Sequence, residues 1–310
     1  MLGGVPLSLD LRHAGPAEVR VAYELVGPAT GPLIVVAGGI SAGRHAVASQ
    51  VVPEAGWWQS QARALAGHRL LSIDWLGADG ELDRPIDPAD QADAIAALLN
   101  ALDLGSAAAF VGASYGGMVG MHLAVRHPGS IGALLSISAS ARSHPFSSAL
   151  RSLQRRALAL GEAGGDPDAG VALARAMAML TYRTPQEFAD RFDAAPVIEA
   201  DRLRVAADAY LDAQGARHCR RMRPAAYRRL SESIDLHAID PTALGLPLTL
   251  VAVDQDSLVP AADIRALADA LPQARFHLIR SRFGHDAFLK EDGQVGAILS
   301  HFLASLEPAR

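Results

Sequence analysis

Five nearly continuous apolar runs, Leu33 to Ala37, Arg69 to Ile73, Ala107 to Val111, Ile131 to Ile137 and Pro247 to Val253, recur along the chain with helical stretches between them. Runs without polar alternation suit strands covered on both faces, as in a parallel sheet. Intervals such as Asp90 to Leu102 and Met118 to Arg126 read as crossover helices, so a right-handed, doubly wound, mostly parallel α/β sheet is the expected topology. Val19 to Leu25 differs, with Val19, Val21, Tyr23 and Leu25 on one face and Arg20 and Glu24 on the other. That alternation predicts a half-buried antiparallel strand. In such sheets, functional groups gather at the C-terminal ends of the strands.

The alternation stops between 141 and 235, where the chain is rich in Ala and Arg, helical in pattern and broken near Gly161, Pro185, Pro196 and Pro224. This segment predicts a helical cap inserted between two strands, leaving 1–140 and 236–310 as the α/β core. At 310 residues, one large α/β domain with an insertion fits.

Lys and Arg total 28 against 33 Asp and Glu, a net charge of −5, so no global positive field favours nucleic acid. The single cysteine, Cys219, cannot form an internal disulfide, which fits a reducing, cytoplasmic setting. No secretory signal is read in Met1-Leu2-Gly3-Gly4-Val5-Pro6, and no apolar run reaches membrane-spanning length. His45, His68, His122, His127, His144, His218 and His237 show no metal-ligand spacing with one another, so no metal is expected.

Gly112-Ala113-Ser114-Tyr115-Gly116 follows the run Ala107 to Val111 and reads as a nucleophile elbow. A sharp strand-to-helix turn holds the central serine in a strained conformation with its hydroxyl lifted off the sheet, and the glycines permit the close approach. A serine hydroxyl needs a base, and the base needs an acid to orient it. His285 follows a predicted last strand, Arg275 to Arg280, and is the candidate base. Asp254 and Asp256 both follow the run ending at Val253, and local reasoning does not separate them. The order Ser, Asp, His is that of α/β-hydrolase folds. The oxyanion donors expected are the backbone N–H of Tyr115 and that of Ile40 or Gly39, in the loop Gly38 to Gly43.

Arg175 is the one charge in the apolar helical stretch Val171 to Leu180, and Tyr182 lies seven positions on, nearly two turns along the same face. It reads either as a snorkelling arginine or as a fork for a carboxylate. Arg217, Arg220, Arg221, Arg223, Arg228 and Arg229, with Arg151, Arg155 and Arg156 upstream, read as a solvated face or a landing site for phosphates of an anionic carrier such as coenzyme A. Cys219 within this run has no recognisable base and acid around it.

From about Val19 to Leu303 the chain resembles the homoserine O-acyltransferases of the α/β-hydrolase fold. The resemblance rests on Gly56-Trp57-Trp58, the elbow with Gly117 after it, Ala174 to Tyr182, Asp256-Ser257-Leu258-Val259-Pro260 and Phe283-Gly284-His285-Asp286. It implies Asp256 as the acid of the triad with Ser114 and His285. It also implies an amino-acid pocket of Arg175, Tyr182 and Asp286, in which a cation and an anion face the two ends of a zwitterion. Tyr115 departs from the Met of the acetyl-transferring members, and the segment from Asp74 to Ala94 is shorter than theirs. The loop Gly39 to His45 and the run Asp74 to Gly80 look more like the succinyl-transferring members. A succinyl group carries a distal carboxylate, for which Arg44 is the expected cation and Tyr115 a hydroxyl donor.

The expected activity is therefore transfer of succinyl from succinyl-CoA to the side-chain hydroxyl of homoserine, on the route to methionine, with no bound cofactor. Acetyl-CoA as donor, or serine as acceptor, are the variants on the same site. An esterase or thioesterase with the same triad is the rival of another class, and a silent binding protein on this fold is a third. The resemblance also implies a homodimer paired through cap helices.

Overall fold

The computed structural model describes residues 1–306. It opens with β1 (Leu2–Leu11), β2 (Gly15–Val26), β3 (Leu33–Ala37), α1 (Ala62–Leu65), β4 (Arg69–Ile73), α2 (Pro88–Ala101), β5 (Ala109–Ala113), α3 (Tyr115–Arg126) and β6 (Leu134–Ile137). A helical segment follows: α4 (Pro145–Ala163), α5 (Pro167–Tyr182), α6 (Pro185–Phe192), the short strands β7 (Val197–Glu199) and β8 (Arg202–Arg204), α7 (Asp208–Cys219) and α8 (Pro224–Asp235). The chain then returns to the sheet with β9 (Leu248–Val253), α9 (Ala261–Asp269), β10 (Ala274–Ile279), α10 (Ala287–Lys290) and α11 (Asp292–Ala304).

Eight strands form one sheet in the order β1-β2-β4-β3-β5-β6-β9-β10. The pairs β1/β2 and β2/β4 are antiparallel, and every later pair is parallel. The interior strands β3, β5, β6 and β9 are buried at every position, which is why their sequences carry no polar alternation. One apolar cluster includes residues of α2, α3 and α9 with the cap, and a second includes Leu65 of α1 and Val295, Leu299 and Phe302 of α11. The sheet thus has a covered face on each side.

From β3 the chain crosses to β4 on one side and then to β5 on the other, so strand order reverses between β3 and β5. A crevice opens beyond the C-terminal ends of strands at such a switch point. Here those ends are Ala37, which leads into Gly38 to Gly43, and Ala113, which leads into Ser114.

One strand, β1, adds to the elements expected, and two local features differ from the expectation. β1 contains Gly3, Gly4 and Pro6, residue types depleted in strands. It is the sheet's edge, where a proline is tolerated, and Gly3 leaves room for the Tyr23 ring of β2. β5 runs two residues beyond the apolar run, to Ala113, because Gly112 pairs with Ser136 of β6. Inside the helical segment, β7 and β8 make a hairpin whose turn residues Ala200 and Asp201 have φ of 45° and 61°, the left-handed turn that a two-residue hairpin requires.

Candidate active site

Ser114 joins β5 to α3 with φ 54° and ψ −119°, a conformation that L-residues rarely hold. The turn is possible because of its glycines. A Cβ on Gly112 would lie 2.4 Å from the Gly116 carbonyl oxygen, and one on Gly116 would lie 2.3 Å from that of Ala37. The N–H of Gly116 donates to the Gly38 carbonyl at 2.9 Å, locking the elbow to the loop after β3.

Ser114 Oγ lies 2.8 Å from His285 Nε2, and His285 Nδ1 lies 2.7 Å from Asp256 Oδ2. The other carboxylate oxygen of Asp256 accepts the N–H groups of Leu258 and Val259 at 2.9 and 3.0 Å, which aims it at the imidazole. Because Asp256 accepts from Nδ1, the lone pair of Nε2 faces the serine hydroxyl. Burial of His285 disfavours the imidazolium, but the Asp256 charge and hydrogen bond outweigh it, and the pKa stands above its ordinary value. Asp254 is exposed and caps a turn, accepting the Ser281 N–H at 3.0 Å.

Among the described residues, neither the Tyr115 N–H nor the Ile40 N–H donates to a protein acceptor. A Cβ on Gly39 would sit 3.9 Å from Ser114 Cβ, so the Gly38 to Gly43 loop runs beside the nucleophile. The two N–H groups are therefore free for an oxygen held next to Ser114.

A cavity of ≈ 210 Å³ opens over Ser114 and His285, roofed by α4, α5 and α8. Arg175, Tyr182 and Asp286 line it together. The Arg175 guanidinium sits over the Tyr182 ring, 5.1 Å from its centroid, and the Tyr182 ring stacks on His285 at 5.9 Å. Two bonds pin the end of α5 to the site: Thr184 Oγ1 donates to the Arg282 carbonyl at 2.6 Å, and Ser257 Oγ to the Thr181 carbonyl at 3.1 Å. Burial raises the pKa of Asp286, opposed by the Arg183 guanidinium 3.6 Å away. Arg183 is itself anchored on the buried Glu187, which Lys290 and Arg191 also contact.

Two expected acyl-chain contacts are corrected. Arg44 does not line the cavity: its guanidinium is paired with Asp74 at 2.6 Å, and its N–H binds the same carboxylate at 2.8 Å. The loop turns Arg44 outward because Asp74, at the end of β4, captures both groups. The Tyr115 hydroxyl also points away, fully buried under α3 and bonded to Ser233 Oγ at 2.6 Å, with Trp75 edge-on to its ring.

The arginine-rich stretch divides. Arg223, Arg228 and Arg229 tie α8 and the residues before it to Glu81, Asp83 and Glu162, Arg229 also pairing with Glu232 within α8, while Arg217, Arg220 and Arg221 are exposed. Sequence reasoning missed the polar wall made by Arg151, Gln154 and Ser231, which lines the same cavity. The signal was there in the spacing, since Ser147, Arg151, Gln154 and Leu158 form one stripe along α4 and its ends are buried. Among the described residues no group of His, Cys, Asp or Glu side chains could hold a metal ion, and no helix is long and apolar enough to cross a membrane.

Residues 32–292 match the family model of the alpha/beta hydrolase fold. Over 304 residues the chain is 53% identical to a homoserine O-succinyltransferase of Xanthomonas campestris pv. campestris, covering 96% of this chain and 82% of that protein. A homoserine O-acetyltransferase of Thermus thermophilus is 35% identical over 71% of this chain and 58% of its own. The crystal structure of a homoserine O-acetyltransferase from Bacillus anthracis superposes over all of both chains with a TM-score of 0.88 at 16% identity, a likeness of fold.

Proposed function

The chain belongs to the homoserine O-acyltransferase family of the α/β-hydrolase fold, and from that premise we propose that it moves a succinyl group from succinyl-CoA to the side-chain hydroxyl of L-homoserine. The observation that carries the mechanism is the unbroken chain Ser114···His285···Asp256 opening into a cavity that also holds Arg175, Tyr182 and Asp286.

The reaction is a ping-pong relay. His285 Nε2 takes the Ser114 proton as Oγ attacks the thioester carbonyl carbon, and the carbonyl oxygen becomes an oxyanion held by the N–H groups of Tyr115 and Ile40. The tetrahedral adduct collapses, the carbon–sulfur bond breaks, and His285 returns its proton to the leaving sulfur. Homoserine then enters, its carboxylate on Arg175 and its ammonium on Asp286, with Tyr182 packed between the arginine and the base. His285 removes the hydroxyl proton, the new ester forms, and the proton passes to Ser114 as it leaves.

Water competes at tens of molar, so a triad alone would give an esterase. A well-oriented acceptor reaches effective molarities of about 10⁵ M or more, enough to win. The cavity favours the transferase because Arg175 and Asp286 line it with opposite charges for the two ends of a zwitterion, which simple hydrolysis does not need. The same reading takes 141–235 as the cap, a cytoplasmic setting, and a homodimer through cap helices, where Leu173 and Leu180 stand exposed on α5.

The test is to incubate the protein with succinyl-CoA or acetyl-CoA, with and without homoserine or serine, following thiol release and intact protein mass. Transfer predicts acylation that disappears in Ser114→Ala and sustained CoA release only with homoserine. Rapid thiol release indifferent to any amino acid would sink the proposal in favour of hydrolysis.

A further inference from the structure

With Arg44 turned outward, the cavity needs another explanation for how it would hold a charged acyl chain. On the wall built by α4 and α8, Arg151 and Arg155 share Asp235: Arg151 Nε donates to Asp235 Oδ1 at 2.7 Å, and Arg155 Nη1 lies 2.8 Å from Asp235 Oδ2. Two arginines against one aspartate leave the group with one positive charge. Arg151 is only 11% exposed in its side chain and lines the cavity. Its helix is fixed to the site by Ser147, one turn earlier, whose hydroxyl donates to the Leu258 carbonyl at 2.7 Å, in the loop that carries Asp256.

This wall carries several uncommitted donors. Arg151 commits Nε and Nη2 to Asp235 and Ser148, and Nη1 has no protein acceptor among the described residues. Ser231 Oγ accepts from Arg155 Nη1 at 2.9 Å, which leaves its own proton to give. Gln154 accepts from the Tyr227 hydroxyl at 3.0 Å through Oε1, so its amide N–H groups are uncommitted. Arg151, Gln154 and Ser231 thus present N–H and O–H donors to the cavity, beside a net cation. These uncommitted donors, set beside a net cation, fit an anion.

We infer that Arg151, with Ser231 and Gln154, is the subsite for a carboxylate at the far end of the acyl chain, and that it selects dicarboxylic acyl thioesters over neutral ones. The inference rests on Ser114 being the acyl acceptor, as proposed above. The two cations of the cavity then divide the substrates between them. Arg175, without an acidic partner, serves the amino acid, and Arg151, held by Asp235, serves the acyl group. Arg151 is fixed before the substrate arrives, so little side-chain entropy is lost when the carboxylate binds.

The test compares succinyl-CoA with butyryl-CoA, which carries the same carbon chain without the carboxylate. Acylation of Ser114 is timed by quenched-flow intact mass in the wild type, Arg151→Gln, Ser231→Ala and Gln154→Leu. The wild type should favour succinyl. The succinyl-to-butyryl ratio of acylation rates should fall about 10- to 100-fold in Arg151→Gln, the worth of a hydrogen bond to a charged group. A smaller fall is expected in Ser231→Ala and Gln154→Leu, which keep the Arg151–Asp235–Arg155 cluster and decide the matter if Arg151→Gln fails to fold. Ratios unchanged within about twofold in variants still acylated by butyryl-CoA would overturn the subsite alone. A wild type acylated by neither thioester would overturn the underlying acyl-serine reading as well.

Discussion

Arg175 stands 5.1 Å over the ring of Tyr182 and has no ion-pair partner among the described residues. An unpaired guanidinium in the wall of a cavity is a charge waiting for a ligand, and the Tyr182 ring ties its position to His285. Because Arg175 forms no ion pair among the described residues, Arg175→Ala should fold normally. It should lower kcat/KM for homoserine about 10- to 100-fold while leaving the rate of Ser114 acylation intact. Steady-state kinetics in the acceptor, set beside acyl-enzyme mass, separates the two half-reactions.

Ser114 pays for its reactivity in backbone strain. Both Ser114→Ala and Ser114→Gly should abolish acylation, but only glycine tolerates φ 54° freely. Ser114→Gly is therefore expected to be more stable than Ser114→Ala by about 1 kcal/mol, read as a shift in urea midpoint at constant m. Equal midpoints would mean that the elbow relaxes when the serine is absent.

The base must be neutral to act, and Asp256 holds the His285 pKa above its ordinary value. Acylation should therefore fall as pH drops through a pKa higher than that of a free histidine. Asp256→Asn should move that limb to lower pH and cost up to about 10⁴-fold in rate, through loss of the tautomer and of imidazolium stabilisation. The pH profile of the single-turnover acylation rate measures both.

Three other histidines bear on acid stability. Burial pushes His122 to about 4, His218 to about 3 and His237 to about 3. Their folded values lie below the ordinary 6.5, so between about 4 and 6.5 the unfolded chain holds more protons. Stability should then rise with pH across that window and be lost on acidification, by up to about 1.4 kcal/mol per pH unit for each histidine. Urea titrations from pH 7.5 down to 4.5 test the slope, and His218→Phe should flatten it.

Arg44→Ala should leave donor selectivity within about twofold of wild type, since the Arg44–Asp74 pair is 39% exposed on each side and lies outside the cavity. Its cost in stability should be about 0–1 kcal/mol. A collapse in succinyl selectivity would return Arg44 to the site.

Much of the site was legible because its parts are tied to chain geometry that leaves a local mark. Gly112 and Gly116 announce a turn that only glycines can make, and a β5 run of buried residues announces the strand before it. His285 follows a strand end, and Arg175 interrupts an apolar helix. Choosing Asp256 over Asp254 needed the family resemblance, because both follow β9 and their difference is one of burial. Arg44 misled for the opposite reason: it sits in the right loop, and nothing local reveals that Asp74 turns it away.

The doubly wound sheet, the elbow at Ser114 and the types of residue that could serve it were written in the chain itself, since they follow from period, glycine sterics and the order of strand ends. Which charges face the cavity was settled only by folding. Asp74 draws Arg44 out, Ser233 draws the Tyr115 hydroxyl under α3, and Asp235 holds Arg151 in the wall. Each is a pairing across 30 or more positions of chain, and an ion pair or hydrogen bond of that span has no periodic trace in the sequence.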